Sequence, residues 1–261
     1  MQKSTWSGSL GFGMVAIPVK LYGATEDKRK ALEIHGYHSE CGSRVSMPKT
    51  CQKCDKKLEA DEIVRGYAID ENNFVPLTES DYESLPLESL RQIQVDAFVK
   101  DLGDPRWIKG NIGFLSPEEV GAKAFVLFVK AMEEAGVMGI AQFTARKKEH
   151  LAAIRPFNGV LLVQDLHWGD ELRDYGELVP FASVSDAETE MAGKLVGGMT
   201  KETVDLTKYQ DKWRDAMVDL VQRKLAGETI EPVAAPKPKQ DVDLLKQMTA
   251  SLNAMEPATT K

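Results

Sequence analysis

Residues 91-RQIQVDAFVK-100 alternate polar and apolar side chains with a period of two, which places Ile93, Val95, Ala97 and Val99 on one face of an extended chain. A helix of the same composition would scatter those four side chains around its axis, so the segment reads as a strand with one buried face. Working outward, the same reading predicts strands over Phe12 to Lys20 and Ile63 to Ile69, with Pro18 demoting the end of the first to an edge or a bulge. Towards the C-terminus, Val137, Gly139, Ala141 and Phe143 alternate along Val137 to Arg146, and Gly159 to Leu166 is an apolar strand. Between these lies one helix signal. The run 116-SPEE-119 offers Ser116 as N-cap, Pro117 at the first helical position and Glu119 for a capping box. It predicts a helix over residues 118–135 with Phe125, Phe128, Val129 and Met132 inward. These segments together predict a mixed α+β, β-rich core with one inserted helix.

From Ser185 onward the period is helical. The run 185-SDAE-188 is a second capping box, after which Met191, Leu195 and Met199 recur at helical spacing. Lys208 to Leu225 carries Trp213, Met217, Leu220 and Val221 at helical offsets, and Gly227 stands where such a helix stops. The stretch 232-PVAAPKPKQ-240 has the composition of a linker, and 241-DVDLLKQMTASLNAM-255 is a short amphipathic tail suited to a partner. The expected organisation is a core over residues 1–184 with a candidate zinc loop at 35–57, a helical arm over 185–230, and a linker and tail over 231–261. No apolar run suits a signal peptide or a membrane span, so a cytoplasmic protein is expected.

The net charge of -7 argues at face value against an acidic partner, but the charge is segregated. Residues 26–57 hold eight Lys/Arg against five Asp/Glu, whereas residues 58–104 hold three against twelve. A second basic knot comprises Arg146, Lys147, Lys148 and Arg155, with Glu149 as its one acid. Each cluster reads either as a solvated face or as an anion-binding patch.

All three cysteines lie in 38-HSECGSRVSMPKTCQKC-54. His38 and Cys41 form one tight pair, Cys51 and Cys54 another, and together they supply the four nitrogen and sulfur donors of a closed, structural zinc site. The alternatives are free surface cysteines, or His35 in place of His38. Phosphate-cradling, dinucleotide-binding, nucleophile-elbow and metalloprotease motifs are all missing from the sequence, and His150 and His167 stand alone. The acids from Asp61 to Asp104 make a metal-dependent nuclease only if several converge. A zinc-bearing protein-interaction module is the other alternative, favoured if the basic knots prove buried in salt bridges.

The opening 6-WSGSLGFGMVAIPVKLYGATEDK-28 resembles the N-terminal signature of bacterial Ku proteins. The His/Cys loop, 62-EIVRGY-67, 130-KAMEEAGVMGIAQFTARKKEHLAAIRP-156, 170-DELRD-174 and 190-EMAGKLVGGM-199 are similar to Ku segments in the same order, so the resemblance covers roughly residues 5–230. It implies a Ku-type β-barrel core with a looped DNA-encircling arm and a helical C-terminal arm. Two copies would form a homodimeric ring on the ends of double-stranded DNA, without an active site. It further implies non-homologous end joining with ATP-dependent DNA ligase D as partner, recruited through the region of 241-DVDLLKQM-248. Carried onto this sequence, the bore residues are Arg146, Lys147 and Lys148, with Arg155 close behind. Arg44, Lys49 and Lys53 sit in the cysteine loop and either contact DNA or decorate it. The chain departs from the family in its tail. Many bacterial Ku proteins end in a Lys-rich extension, whereas Thr249 to Lys261 is nearly uncharged and is not expected to add DNA affinity.

Overall fold

Period-two alternation is realised as a closed barrel. The computed structural model describes residues 3–26, 34–71, 73–85, 91–180, 182–230 and 244–255. Its strands are β1 (Trp6–Phe12), β2 (Val15–Gly23), β3 (Thr50–Cys51), β4 (Lys56–Lys57), β5 (Arg65–Ala68), β6 (Phe74–Leu77), β7 (Gln92–Val99), β8 (Ile108–Pro117), β9 (Met138–Ala145), β10 (Lys148–Phe157) and β11 (Val160–Leu166). The helices are α1 (Glu79–Glu83), α2 (Ala122–Ala135), α3 (Asp186–Met199), α4 (Lys212–Leu225) and α5 (Leu244–Met255). The barrel runs in the order β1-β2-β8-β11-β10-β9-β7. The parallel pairing of β1 with β7 closes it, and all its other pairings are antiparallel.

Alternation decides what fills the barrel. Leu10, Ile17, Val19, Ile93, Val95, Leu115, Phe143, Ile154 and Leu161 meet in one buried cluster, and Phe125, Phe128, Val129 and Met132 of α2 belong to it. Phe12, at the end of β1, stacks on Phe128 with ring centroids 4.1 Å apart, so α2 closes the end of the barrel at which β1 turns into β2. A second, smaller cluster of Met138, Ala153 and Leu166 takes the opposite side chains of β9, β10 and β11, with Val99 and Trp107 packed against it.

Several expectations are revised by longer-range pairing. The strand expected over Phe12 to Lys20 is two strands, because Gly13, at φ 55°, turns the chain and Phe12 pairs with Val15. Pro18 lies within β2, which β8 joins only from Val19 onward; the ring therefore interrupts no ladder on that side. Ser116 and Pro117 do not cap a helix: they end β8, opposite Lys20 and Val19, and α2 begins at Ala122 after a short 3-10 turn. Ile93 and Val95 are buried, but a register shift between Val95 and Ala97 reverses the sides that follow. Phe98 then meets Phe128 edge-on at 6.0 Å, while Val99 packs on the second cluster. Between β2 and β7 the described residues form only small elements, namely a bridge between Tyr37 and Arg44, the β3-β4 and β5-β6 hairpins, a 3-10 turn over Ala60–Glu62 and α1.

Glu171 fastens the segment after β11 to the barrel. It accepts from His167 Nδ1 at 2.8 Å, from Lys109 Nζ at 3.1 Å and from the Trp168 N–H at 3.1 Å. The His167 bond, foremost, and those from Lys109 and Trp168 draw its carboxyl from 4.5 down to about 2. A depressed folded value means that the stabilisation is present above the unfolded value and is lost as pH falls towards the folded one. Melting temperature is therefore expected to fall between pH 5 and about 2, and Glu171→Gln to flatten that slope while lowering the melting temperature at pH 7. Parallel slopes for the two proteins would remove this role from Glu171.

The chain divides into two compact units, Met1–Arg173 and Asp174–Lys261. In the second, Ser185 and Glu188 form the expected reciprocal cap of α3, with Ser185 N donating to Glu188 Oε2 at 2.8 Å and Glu188 N to Ser185 Oγ at 3.3 Å. Asp211 caps α4, and Gly227, at φ 81°, follows its end. Neither α3 nor α4 has a buried residue, and Trp213 is 59% exposed. The tail helix α5 packs against α3 and buries Met248. The expected linker, 232–240, the first three residues of the tail and the residues after 255 lie outside the described residues. No helix among the described residues is long and apolar enough to cross a membrane.

Candidate nucleic-acid interface

Two hairpins of the barrel are closed by the same two-residue turn, with opposite chemistry. Between β10 and β11 the turn is Asn158-Gly159, at φ 47° and 80°, the residue pair that a turn with two positive φ angles prefers. Between β9 and β10 the turn is Arg146-Lys147, at φ 50° and 65°, flanked by the pair Ala145 and Lys148. A side chain in the left-handed region costs about 1–2 kcal/mol per residue. The barrel accepts that cost to place three consecutive cations at a hairpin tip, with Arg146 and Lys148 exposed. Backbone strain of this kind gathers at sites of function.

The tip stands at the barrel end opposite α2. Trp6, the first residue of β1, donates its indole N–H to the Thr144 carbonyl at 2.9 Å, whereas Phe12, its last, stacks under α2. At this open mouth His150 stacks on Phe143 at 5.1 Å and faces Asp165 at 3.5 Å, and Asp165 accepts from Asn111 at 3.1 Å. His150 is thus held by a carboxylate and by ring stacking, and His167 by the Glu171 carboxylate.

Lys147 is engaged otherwise than its sequence suggests. Its ammonium is ion-paired with Glu79 and lies 4.6 Å from the centroid of the Tyr82 ring, both on α1. Nothing local in the sequence signals Glu79 or Tyr82, which lie more than sixty positions upstream. Arg155 is not at the tip. It lies opposite Leu162 in the barrel wall, seven residues along β10 from Lys148, or roughly 23 Å at strand rise. Its Nε is buried without a hydrogen-bond partner among the described residues.

The cysteine loop forms two separate knuckles. In the first, Gly42 N donates to His38 O at 2.8 Å and His38 N to Ser43 O at 2.8 Å, which sets His38 Nδ1 3.0 Å from Cys41 Sγ. Hydrogen bonds from Ser43, and secondarily from His38, lower the Cys41 thiol to about 7. In the second, the β3-β4 hairpin brings Cys51 to Cys54, and the Cys54 and Lys53 backbone N–H groups lower the Cys51 thiol. His35 is hydrogen-bonded to Arg44 Nη2 at 3.0 Å, which leaves His38 as the histidine beside a cysteine. Each knuckle offers two donors of the kind zinc takes, yet no group of three or more potential ligands gathers among the described residues. Lys49 and Lys53 are exposed, and neither they nor Arg44 lines the cavity beside the Arg146-Lys147 tip. In the acidic stretch, Glu62 binds Lys56, Asp81 caps Thr78 and Asp104 binds Arg106, so these carboxylates fix turns and helix ends.

The Ku70/Ku80 β-barrel domain model matches residues 11–193. The chain is 37% identical over 257 residues to the non-homologous end joining protein Ku of Archaeoglobus fulgidus, covering 97% of this chain and all of that one. It is 38% identical over 259 residues to that of Symbiobacterium thermophilum, covering 97% of this chain and 63% of the relative. With the Bacillus subtilis protein of the same name it shares 33% identity over 255 residues, 95% of this chain and 81% of the relative.

Proposed function

Since the chain belongs to the Ku β-barrel family, we propose that it binds the ends of double-stranded DNA in break repair by non-homologous end joining. It does so as a homodimeric ring that performs no chemistry of its own. The observation that carries this reading is the Arg146-Lys147-Lys148 tip, where cations occupy turn positions that Asn-Gly fills in the neighbouring hairpin. Lys and Arg contacts to phosphate give affinity without sequence preference, and a closed ring admits duplex only at an end. Assembly of two copies draws support from the second unit, whose helices leave Trp213, Val218, Val221 and Leu225 exposed. Recruitment of ATP-dependent DNA ligase D belongs to the tail, of which α5 is the described part.

One structural zinc per chain is part of the proposal: its binding would draw the His38-Cys41 and Cys51-Cys54 knuckles, two donors each, onto one ion and so pin a loop with few apolar residues. Metal analysis of the purified protein tests it. The nuclease alternative draws no support from the acids described above. The protein-interaction alternative is favoured if the basic knots are buried in salt bridges; Lys147 is ion-paired with Glu79, but Arg146 and Lys148 are exposed.

The deciding experiment compares gel shifts of a linear duplex and the same duplex sealed into a covalent circle, at two salt concentrations. Binding to the linear form alone, weakening as salt rises, is the expected result. Equal binding to both forms would replace the ring by a side-on binder.

A further inference from the structure

We propose that Lys147 is an anion-exchange site, at which a DNA phosphate displaces the Glu79 carboxylate while the Tyr82 ring keeps the ammonium in place. The proposal rests on the DNA-binding reading above and adds to it two residues on α1. A cavity of about 340 Å³ separates α1 from the β9-β10 tip, and Glu79, Tyr82, Arg91, Arg146 and Lys147 are among the residues that line it. Lys147 is therefore held from two sides, by an anion and by the face of an aromatic ring 4.6 Å away.

The two partners of Lys147 differ in how easily they leave. The Lys147 side chain is 28% exposed, whereas that of Glu79 is 80% exposed. The carboxylate sits on the solvent side and regains its full hydration when it swings away, so its release costs little. The ammonium stays low in the cavity on Tyr82, its outward position open to another anion. A phosphodiester matches the carboxylate it replaces in charge and in acceptor oxygens. Arg146 adds a second cation that makes no ion pair among the described residues, and the turn's positive φ angles hold both side chains at the tip. Glu79 thereby acts as a weak internal competitor that DNA must displace.

Four variants test this by titration of a fluorescent linear duplex at low salt: Glu79→Gln, Glu83→Gln, Lys147→Gln and the Glu79→Gln/Lys147→Gln pair. Glu83 lines the same cavity and controls for the general loss of one negative charge. Glu79→Gln is expected to tighten binding roughly two- to fivefold, the worth of an exposed ion pair. Glu83→Gln is expected to have a smaller effect, and the Glu79 gain to vanish when Lys147 is Gln. An equal gain from Glu83→Gln, or a Glu79 gain that persists without Lys147, would reduce Glu79 to a distant charge and overturn the exchange. Failure of the unchanged protein to bind duplex would instead sink the DNA reading, and the exchange with it. Unchanged melting of the four variants guards against a folding artefact.

Discussion

Reversing the charge of the hairpin tip, Arg146→Glu with Lys147→Glu, is expected to lower affinity for linear duplex about 100-fold at low salt. A unit charge about 4 Å from a phosphate in water is worth about 1 kcal/mol. The double reversal changes four units, and screening leaves roughly 3 kcal/mol. The slope of log affinity against log salt should also become shallower by about one to two per chain, because fewer counterions are released. A companion variant separates charge from conformation. Grafting the Asn158-Gly159 chemistry onto this turn, as Arg146→Asn with Lys147→Gly, removes two left-handed penalties of about 1–2 kcal/mol each. Against this stand the extra chain entropy of glycine, the lost Glu79 ion pair and the lost Tyr82 contact, each about 1 kcal/mol or less. The graft should therefore bind duplex more weakly and unfold at higher urea. Undiminished duplex binding by the reversal would take the DNA interface away from this hairpin. A graft less stable than the parent would show that the turn holds no strain.

The trade between stability and binding rests on comparing two turns, and the sequence carried only half of that comparison. Gly159 to Leu166 was legible as a strand, whereas 158-NG-159 is a signal for the turn before it that was passed over. The strand before it, β10, reads as a basic knot followed by mixed residues, because its polar end, Lys148 to His150, hides the alternation of Ala152 and Ile154. Without β10 as a strand, Arg146-Lys147 cannot be recognised as a turn at all. The same limit hid β8, where Gly110 and Gly113 thin out the apolar pattern. Gly113 is there because a side chain would meet Leu21 at 2.7 Å across the β2 pairing. That is a contact between residues far apart in the chain.

Local signals were reliable where nothing distant competed with them. The capping box at Ser185 formed in full, since α3 has only itself to satisfy at that end. The equivalent pattern at Ser116 failed because pairing with Lys20 and Val19 of β2 extends the strand through those residues. Barrel closure by the parallel pairing of β1 and β7, and the grip of Glu79 and Tyr82 on Lys147, have no local signal. The similarity of the N-terminal segment to Ku proteins supplied the barrel, but it could not assign these contacts. It set Arg155 close behind the tip, whereas the strand carries that residue well along the wall.

The barrel's two ends allow stability and binding to be moved independently, which makes Phe125→Ala the sharpest test of the architecture. Phe125 is 1% exposed and among the largest fully buried side chains, packed with α2 into the barrel interior. Truncating such a phenylalanine removes its transfer free energy and leaves a cavity that a rigid barrel relaxes into only partly, at about 3–5 kcal/mol. For a unit of this size the melting temperature should fall by about 10 °C. Well below that melting point, affinity for linear duplex should stay within about twofold, since a change of 0.4 kcal/mol or less is all that reaches the tip. The reason is distance. The α2 end and the tip are joined by the length of β1, from Phe12 to Trp6, roughly 20 Å of strand with its ladders intact. Stability measured by urea unfolding, alongside duplex titration in the cold, reads both quantities on the same variant. A parallel loss of affinity would mean that the hairpin tip takes its conformation from the packing of α2 rather than from its own turn and the grip of α1.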